Sequence, residues 1–274
     1  MSREDKDKVK KVGLDAPSWL VDVAKENESS LDAVRAHRQL QRAKIVQGMT
    51  RRLELKQRFG EGAVLVQPGD VLLAKLDEPF LFVPLFHFTE FSKLAHIDDA
   101  SSGMFQARTF DERSELARRA RDGNLRSEPY GPKDKDGKHL YSYRYVEHLV
   151  FPGIIYGAHP LAGTVIAISF ERGEFFNGTS FCSAILLRRV GGVSAPLWSQ
   201  VWELRSRLHK NRVGQQWYGF DFFTPEQPFI LEEESVSFRE QHEELKRQFQ
   251  SKLIEVDRSD VADDVAVAPS EAEM

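Results

Sequence analysis

The segment GTVIAISFERGEFFNGTSFCSAILLRR, residues 163–189, decides how the middle of this chain folds. Two apolar runs flank a centre that carries three aromatic side chains beside a Glu-Arg pair, namely Phe170, Phe175 and Phe176. The runs are typical of strands joined by a turn, since Gly173 interrupts the pattern. The aromatic side chains then either return to the core or form a platform on which flat ligands such as nucleobases stack.

Spacing separates the three phenylalanines. Neighbouring residues of an extended backbone point to opposite faces, so Phe175 and Phe176 cannot both share a face with Phe170. Because Phe175 lies toward the charged Glu171-Arg172 side, the parity predicts that Phe175 is exposed and stacks, while Phe176 joins the core.

Composition sets the class of protein. The chain has 274 residues, 41% of them hydrophobic and 29% charged, which is ordinary for a globular protein. No apolar run approaches the roughly 20 residues of a membrane helix, and the N-terminal stretch MSREDKDKVKKVG lacks the apolar centre of a signal peptide. We therefore expect a cytoplasmic protein without a membrane partner. The single cysteine, Cys182, excludes a multi-cysteine metal site within one chain and is expected to be a buried thiol.

Charge is segregated along the chain. From residue 226 onward there are 14 acidic and 5 basic residues, whereas the preceding part has 28 acidic and 33 basic residues. The pattern predicts an N-terminal arm (1–30), one globular domain (31–256) and a disordered acidic tail (257–274).

The pattern of elements indicates an α+β fold with a mainly β centre. Strands are expected at 63–66, 71–76, 79–91 and 215–223, with Pro84 interrupting the third, and residues 130–157 are expected to form a charged hairpin loop that leads into a further strand. Helices are expected at 109–122 and 237–253, each after a capping-box spacing, and at 195–208 from apolar residues at helical intervals. Residues 31–45 are compatible with a short basic helix.

Signatures of common enzymes are absent from the sequence. It contains no glycine-rich phosphate loop, no H-E-x-x-H and no G-x-S-x-G. Glu147, His148 and His159 could ligate a metal, and Glu54 with Lys56 resembles half of a nuclease motif, but neither set is complete. We predict a protein without catalysis, cofactor or metal, and keep a metal-dependent nuclease as an alternative.

Binding of nucleic acid needs cations for the phosphates and exposed aromatic faces for the bases. The sequence contains both kinds of residue. The predicted contacts are the basic and aromatic residues Arg35, Arg38, Arg42, Lys44, Tyr141, Tyr143, Tyr145, Phe170, Arg172, Phe175, Arg188 and Arg189. The three tyrosines alternate along one strand and so share one face. A stripe of this kind is also typical of a core, and that interpretation stays open.

Four stretches together resemble a phage-encoded single-stranded DNA-binding protein: the basic segment RAHRQLQRAKIVQGMTRRLELK, the strand pair RYVEHLVFPGIIYG and GTVIAISFERGEFFNG, and the acidic segment DRSDVADDVAVAPSEAEM. The resemblance covers about a third of the chain. It implies non-catalytic binding of single-stranded DNA in phage replication or recombination, and an OB-like barrel with the helices from Thr109 and Pro196 as insertions or flanks. It also implies that replication or recombination proteins bind the acidic tail, although this tail ends in Glu-Met and lacks the Pro-Phe terminus of bacterial relatives.

Two further expectations remain. The strand count also permits another α+β sheet, and a viral structural or assembly protein is the main alternative function. In that case packing or subunit contacts would be made by the aromatic residues Trp198, Trp202, Trp217 and Phe222, and a homo-oligomer is an expectation under either function.

Overall fold

The computed structural model describes residues 40–48, 50, 52–96, 98–99 and 105–251, and within them the protein is α+β with a mainly β centre, as predicted. Several predicted features lie outside the described residues, namely the arm (1–30), Arg35, Arg38 and the acidic tail (257–274). Among the described residues, no helix has both the length and the apolar character that a membrane span needs.

The described residues contain thirteen strands: β1 (Gln41–Ile45), β2 (Val64–Gln67), β3 (Val71–Ala74), β4 (Phe80–Pro84), β5 (Phe88–Leu94), β6 (Phe105–Thr109), β7 (Ser127–Lys133), β8 (His139–Tyr156), β9 (Val165–Glu171), β10 (Arg189–Val190), β11 (Val193–Ser194), β12 (Trp202–Lys210) and β13 (Gln216–Phe223). They also contain four α-helices: α1 (Leu53–Phe59), α2 (Glu115–Arg121), α3 (Phe175–Leu187) and α4 (Ser235–Gln250).

Eleven of these strands form one sheet, and β8 is its longest member with 18 residues. On one side β8 pairs with β5 and then with β4, and on the other with β7 and then with β9. The carbonyl of Pro152 accepts the backbone N–H groups of Leu85 and Phe86 where β4 gives way to β5. At Gly153 a Cβ atom would lie 2.3 Å from the Phe82 ring, so only glycine lets the two strands meet here.

The sheet follows the order β13-β12-β4-β8-β9-β1-β2-β3, and β1 with β9 is its parallel pair. The path has two ends in the described residues, β13 and β3, and no backbone ladder closes it into a barrel. Side chains instead link β13 and its neighbour β12 to the connection between β1 and β2. The Gln47 amide donates to the carbonyl of Tyr218 at 2.7 Å and accepts its N–H at 2.9 Å, and the Ser206 hydroxyl donates to the carbonyl of Gly62.

The two faces of the sheet carry separate cores. Helix α3 covers one face, where Phe181 is fully buried among Phe151, Phe170 and Trp202. Gly178 allows this close approach, because a Cβ there would lie 2.7 Å from the Cβ of Phe170. On the other face α4 buries Phe238 and Leu245, which belong to the same cluster as Phe88 and Val150.

Several predicted elements are confirmed, with changed boundaries. The strands at 63–66, 71–76 and 215–223 are present, and Pro84 ends β4. Helix α2 begins later than predicted because Ser114, and not Thr109, accepts the N–H of Ala117 at 3.1 Å as the N-cap. Helix α4 begins at Ser235, after a 3-10 turn at Glu232–Glu234.

Three predicted elements are wrong. Residues 195–208 form a 3-10 turn at Leu197–Ser199 and then β12, and residues 41–45 of the predicted basic helix form β1. The second half of the opening segment is helix α3 and not a strand. In each case the residues are fixed by pairing or packing against elements distant in sequence, which local spacing does not contain.

Candidate nucleic-acid interface

The tyrosines predicted to share one face do so on β8, and β7 adds a fourth. Tyr130 is opposite Tyr141, and its ring stacks on that of Tyr143 with the centroids 3.7 Å and the planes 9° apart. Lys93, on β5 at the other side of β8, places its Nζ 3.7 Å from the Tyr143 centroid. We call these residues the tyrosine face: Lys93, Tyr130, Tyr141, Tyr143 and Tyr145.

Two members of the tyrosine face have their rings occupied. A stacked ring and an ammonium cannot both lie 3.7 Å from one centroid on the same side, so both faces of Tyr143 are covered. Tyr145 is 7% exposed beneath α2, beside Phe91 and Ala117. Its hydroxyl donates to Glu128, and burial raises the pKa of Tyr145 to about 12. The exposed position predicted for Tyr145 is therefore wrong.

Tyr141 is the remaining predicted tyrosine, and it is partly exposed. Its described ring neighbours are tilted and not stacked: Tyr130 lies at 5.7 Å and 44°, and His96 at 5.4 Å and 31°. Since an aromatic ring stacks a base through its face, Tyr141 is the residue of β8 with the geometry to do so.

The tip of the β7-β8 hairpin carries exposed cations next to this ring. Lys133, Lys135 and Lys138 are all exposed. The side chain of Asp134 accepts the backbone N–H groups of Asp136 and Lys138, each at 2.9 Å, and so closes the turn. The sequence analysis predicted a charged hairpin loop within residues 130–157, but its lysines were not among the predicted contacts.

The predicted cations of β1 are buried. Arg42 is 5% and Lys44 is 4% exposed, so the surface position predicted for them on a basic helix is wrong. Both line a cavity of about 270 Å³ between β1, β9 and β13, together with Glu171 and Glu174. Burial raises the pKa of the Glu174 carboxyl, which accepts the indole N–H of Trp217 at 2.5 Å.

The adjacent arginines after α3 have different environments. The Arg188 guanidinium lies 3.6 Å from the centroid of Trp202 and donates to the carbonyls of Val201 and Pro228 at 2.7 and 3.0 Å. Burial lowers the pKa of Arg188 to about 10. Arg189 is exposed on β10. Arg188 is therefore a packing residue, and only Arg189 keeps the surface position predicted for both. The side chain of Arg172 lies outside the described part of the structure.

The three phenylalanines of the opening segment have different environments because helix α3 begins at Phe175. Phe170 is fully buried, which contradicts its predicted exposure. Phe175 is half-buried against the core and Phe176 is 77% exposed, the reverse of the prediction. The parity argument fails because residues 175–187 turn by 100° per residue and not by 180°.

A buried polar network that the sequence did not indicate crosses the sheet. The Ser92 hydroxyl lies 2.7 Å from Nε2 of His148, and Nδ1 of the same ring contacts Glu171 on β9. Ser92, His148 and Glu171 follow the order of a catalytic nucleophile, base and acid. Ser92, however, is fully buried in the middle of β5, and the β5 backbone is paired with both β6 and β8 at this residue. The geometry thus fits a structural network, as expected for a hydrogen-bonded strand histidine.

The residues considered for a metal site do not meet. Glu147 pairs with Arg121 of α2, whereas His148 points to the opposite face of β8, and His159 hydrogen-bonds to the carbonyl of Leu73. Glu54 lies on helix α1, exposed and paired with Arg52. Across the described residues, no group of three or more His, Cys, Asp or Glu side chains could hold a metal ion.

The chain matches no protein-family model, no curated protein and no solved structure, so its function is argued from these residues alone.

Proposed function

We propose that the protein binds single-stranded DNA without catalysis, as in phage replication or recombination, and that the β7-β8 hairpin makes the contact. The observation that carries this proposal is the partly exposed ring of Tyr141 between the covered stack of Tyr143 and the exposed lysines of the hairpin tip. Bases would stack on Tyr141, and the lysines would neutralise phosphates.

The tyrosine face supports the proposal by holding Tyr141 in place. Tyr130 is fixed at its hydroxyl, which donates to Asp99 at 2.8 Å and accepts the N–H of His96 at 3.0 Å. Its ring in turn stacks on Tyr143, two residues from Tyr141 on the same face of β8. A stacking residue held in this way loses little conformational entropy when a base binds.

Two parts of the proposal rest on the sequence. The first is the OB-like barrel that the resemblance implies; the bridges from Gln47 to Tyr218 and from Ser206 to Gly62, which link β13 and β12 to the β1-β2 connection, are compatible with it. Binding of replication or recombination proteins to the acidic tail, residues 257–274, stays a prediction.

The test compares Tyr141→Ala with Leu140→Ala in binding to a fluorescent oligonucleotide. Leu140 is the neighbouring residue on the opposite face of β8 and is 51% exposed, which makes it a matched control. Loss of one stacked base costs about 1–3 kcal/mol, so Tyr141→Ala should weaken binding by roughly 5- to 150-fold, and Leu140→Ala should not. Equal affinities of the two variants would place the contact elsewhere.

The lysines are tested by salt dependence. Each phosphate contact to a single strand contributes about 0.7 to the slope of log K against log salt, so Lys133→Gln with Lys138→Gln should reduce the slope by up to about 1.4. An unchanged slope would remove the hairpin tip from the interface. Absence of binding by the wild-type protein at low salt would refute the function itself.

A further inference from the structure

Helix α3 and the hairpin that follows it expose several large apolar side chains. We call this group the α3 patch and define it by its exposed apolar residues Phe176 (77%), Leu186 (62%), Leu187 (74%), Val190 (55%) and Val193 (69%). The hairpin is fixed to the helix, because the hydroxyl of Ser194 donates to the carbonyl of Leu186 and the N–H of Ala195 to that of Arg188, each at 2.8 Å.

We propose that the α3 patch joins two copies of this chain in a two-fold dimer, through antiparallel packing of the two α3 helices. The proposal does not depend on DNA binding. The 13 residues of α3, FFNGTSFCSAILL, contain no Asp, Glu, Lys or Arg, so the helix itself offers no charged side chain to a phosphate or to a charged partner surface. Arg189, on the hairpin that follows, is an exposed cation beside these apolar residues. An uncharged apolar face is complementary to a second face of the same kind.

The residue sizes along α3 fit a two-fold arrangement. Ser183 and Leu187 follow Phe176 by seven and eleven positions, so the three side chains lie in one stripe along the helix. Thr179 and Leu186 lie along one flank of this stripe. Large side chains stand at both ends of the stripe and small ones at its centre. An axis that crosses α3 between Thr179 and Ser183 places each Phe176 beside the partner's Leu187, and the small residues let the helices approach.

The two hydroxyls at the centre are already satisfied within the helix. Thr179 donates to the carbonyl of Phe176 at 2.8 Å, and Ser183 donates to the carbonyl of Thr179 at 3.0 Å. Burial against a partner therefore leaves neither donor without an acceptor, and the usual cost of covering a polar group does not arise.

The size of the patch suits a dimer near the lower limit of stable interfaces. Its five residues expose on the order of 600 Å², which is as large as the largest apolar patch expected on a monomer. Two such patches would bury about 1,200 Å² in total, where specific interfaces begin. We thus expect a dimer that dissociates on dilution.

The first experiment measures the molar mass of the full chain by sedimentation over a range of concentrations. The wild type should approach twice the mass of one chain as its concentration rises, and Leu187→Glu should remain a monomer with an unchanged circular dichroism spectrum. Val213→Glu is the matched control, because Val213 is 80% exposed but lies at the β12-β13 turn, outside the patch. A wild type that stays monomeric, with or without binding to neutral lipid vesicles, overturns the proposal. A Val213→Glu variant that dissociates as Leu187→Glu does would also overturn it.

A second experiment tests the antiparallel register by cross-linking. Cys182 is first replaced by serine, and Phe176→Cys and Leu187→Cys are then made separately in that background. Under mild oxidation, an equimolar mixture of the two variants should form disulfide-linked dimers faster than either variant alone. Faster linking within a single variant would overturn the antiparallel arrangement.

Discussion

Arg188 and Arg189 are adjacent in sequence but have different environments, and replacing each by glutamine should change the free energy of unfolding by different amounts. Arg188 makes two hydrogen bonds to the backbone carbonyls of Val201 and Pro228 and covers the ring of Trp202. Hydrogen bonds from a charged donor contribute about 1.5–3 kcal/mol each, and a cation–π contact at a partly exposed site about 1 kcal/mol. Desolvation of the guanidinium, visible in the lowered pKa of Arg188, offsets part of this sum.

We therefore expect Arg188→Gln to lower the free energy of unfolding by about 2–4 kcal/mol, and exposed Arg189→Gln by less than about 0.5 kcal/mol. Urea unfolding followed by tryptophan fluorescence measures both. Arg188→Lys serves as a further control, since lysine keeps the charge and one donor nitrogen but loses Nη2, which donates to the Thr224 hydroxyl at 3.1 Å while Nη1 donates to both carbonyls. If Arg188→Gln unfolds at the same urea concentration as the wild type, the described hydrogen bonds do not stabilise the fold as argued.

Phe181→Ala should lower the free energy of unfolding by about 3–5 kcal/mol, because this side chain is fully buried among four aromatic rings. Phe176→Ala should change it by less than about 0.5 kcal/mol, because Phe176 is exposed. Thermal and urea unfolding measure both variants, and equal losses of stability would contradict the burial of Phe181 and the exposure of Phe176. Glu174→Gln tests the pH dependence that follows from a raised carboxyl pKa. The native state then binds a proton at higher pH than the unfolded chain, whose Glu titrates near about 4.3, so this residue's stabilising effect is full below that value and is lost as pH rises through the native pKa. The melting temperature of the wild type, minus that of Glu174→Gln, should therefore increase as pH is lowered from 7 toward 4.5, and a constant or decreasing difference would show that Glu174 does not titrate in this way.

The sequence predicts best where a local pattern and its tertiary setting agree. Tyr141, Tyr143 and Tyr145 alternate because all three lie in the extended strand β8, which pairs with β7 at Tyr141 and Tyr143 and with β5 at Tyr145, and in such a strand a period of two indicates one face. The sequence-based prediction fails at residues 195–208, where Val201, Leu204 and Leu208 have helical spacing. The structure instead places Trp202, Leu204 and Ser206 alternately on a buried face of β12, between β4 and β13. The same residues fit both a helical period and a strand period of two, and pairing with the neighbouring strands determines which one forms.

The candidate site was harder to predict because its parts are distant in sequence. Lys93 reaches Tyr143 across 50 positions of the chain, and only the register between β5 and β8 brings them together. The same limit applies to Ser92 and His148. Charge alone could not distinguish Arg188 from Arg189, since the difference lies in Pro228 and Val201, which fold back onto one of them.

The side-chain amide of Gln47 protects one position of an edge strand against aggregation. An end strand such as β13 offers outward backbone groups on which a foreign strand can add, and repeated addition leads to fibres. At Tyr218 those groups are taken by the Gln47 amide, which imitates the next strand for one residue. Glu174 accepts the N–H of Phe220 at 2.9 Å and Asn177 donates to its carbonyl at 3.4 Å, so side chains occupy backbone groups at two positions of this end strand. Loss of the Gln47 side chain would expose the groups of Tyr218, and we expect it to appear first as aggregation, before any change in the fold.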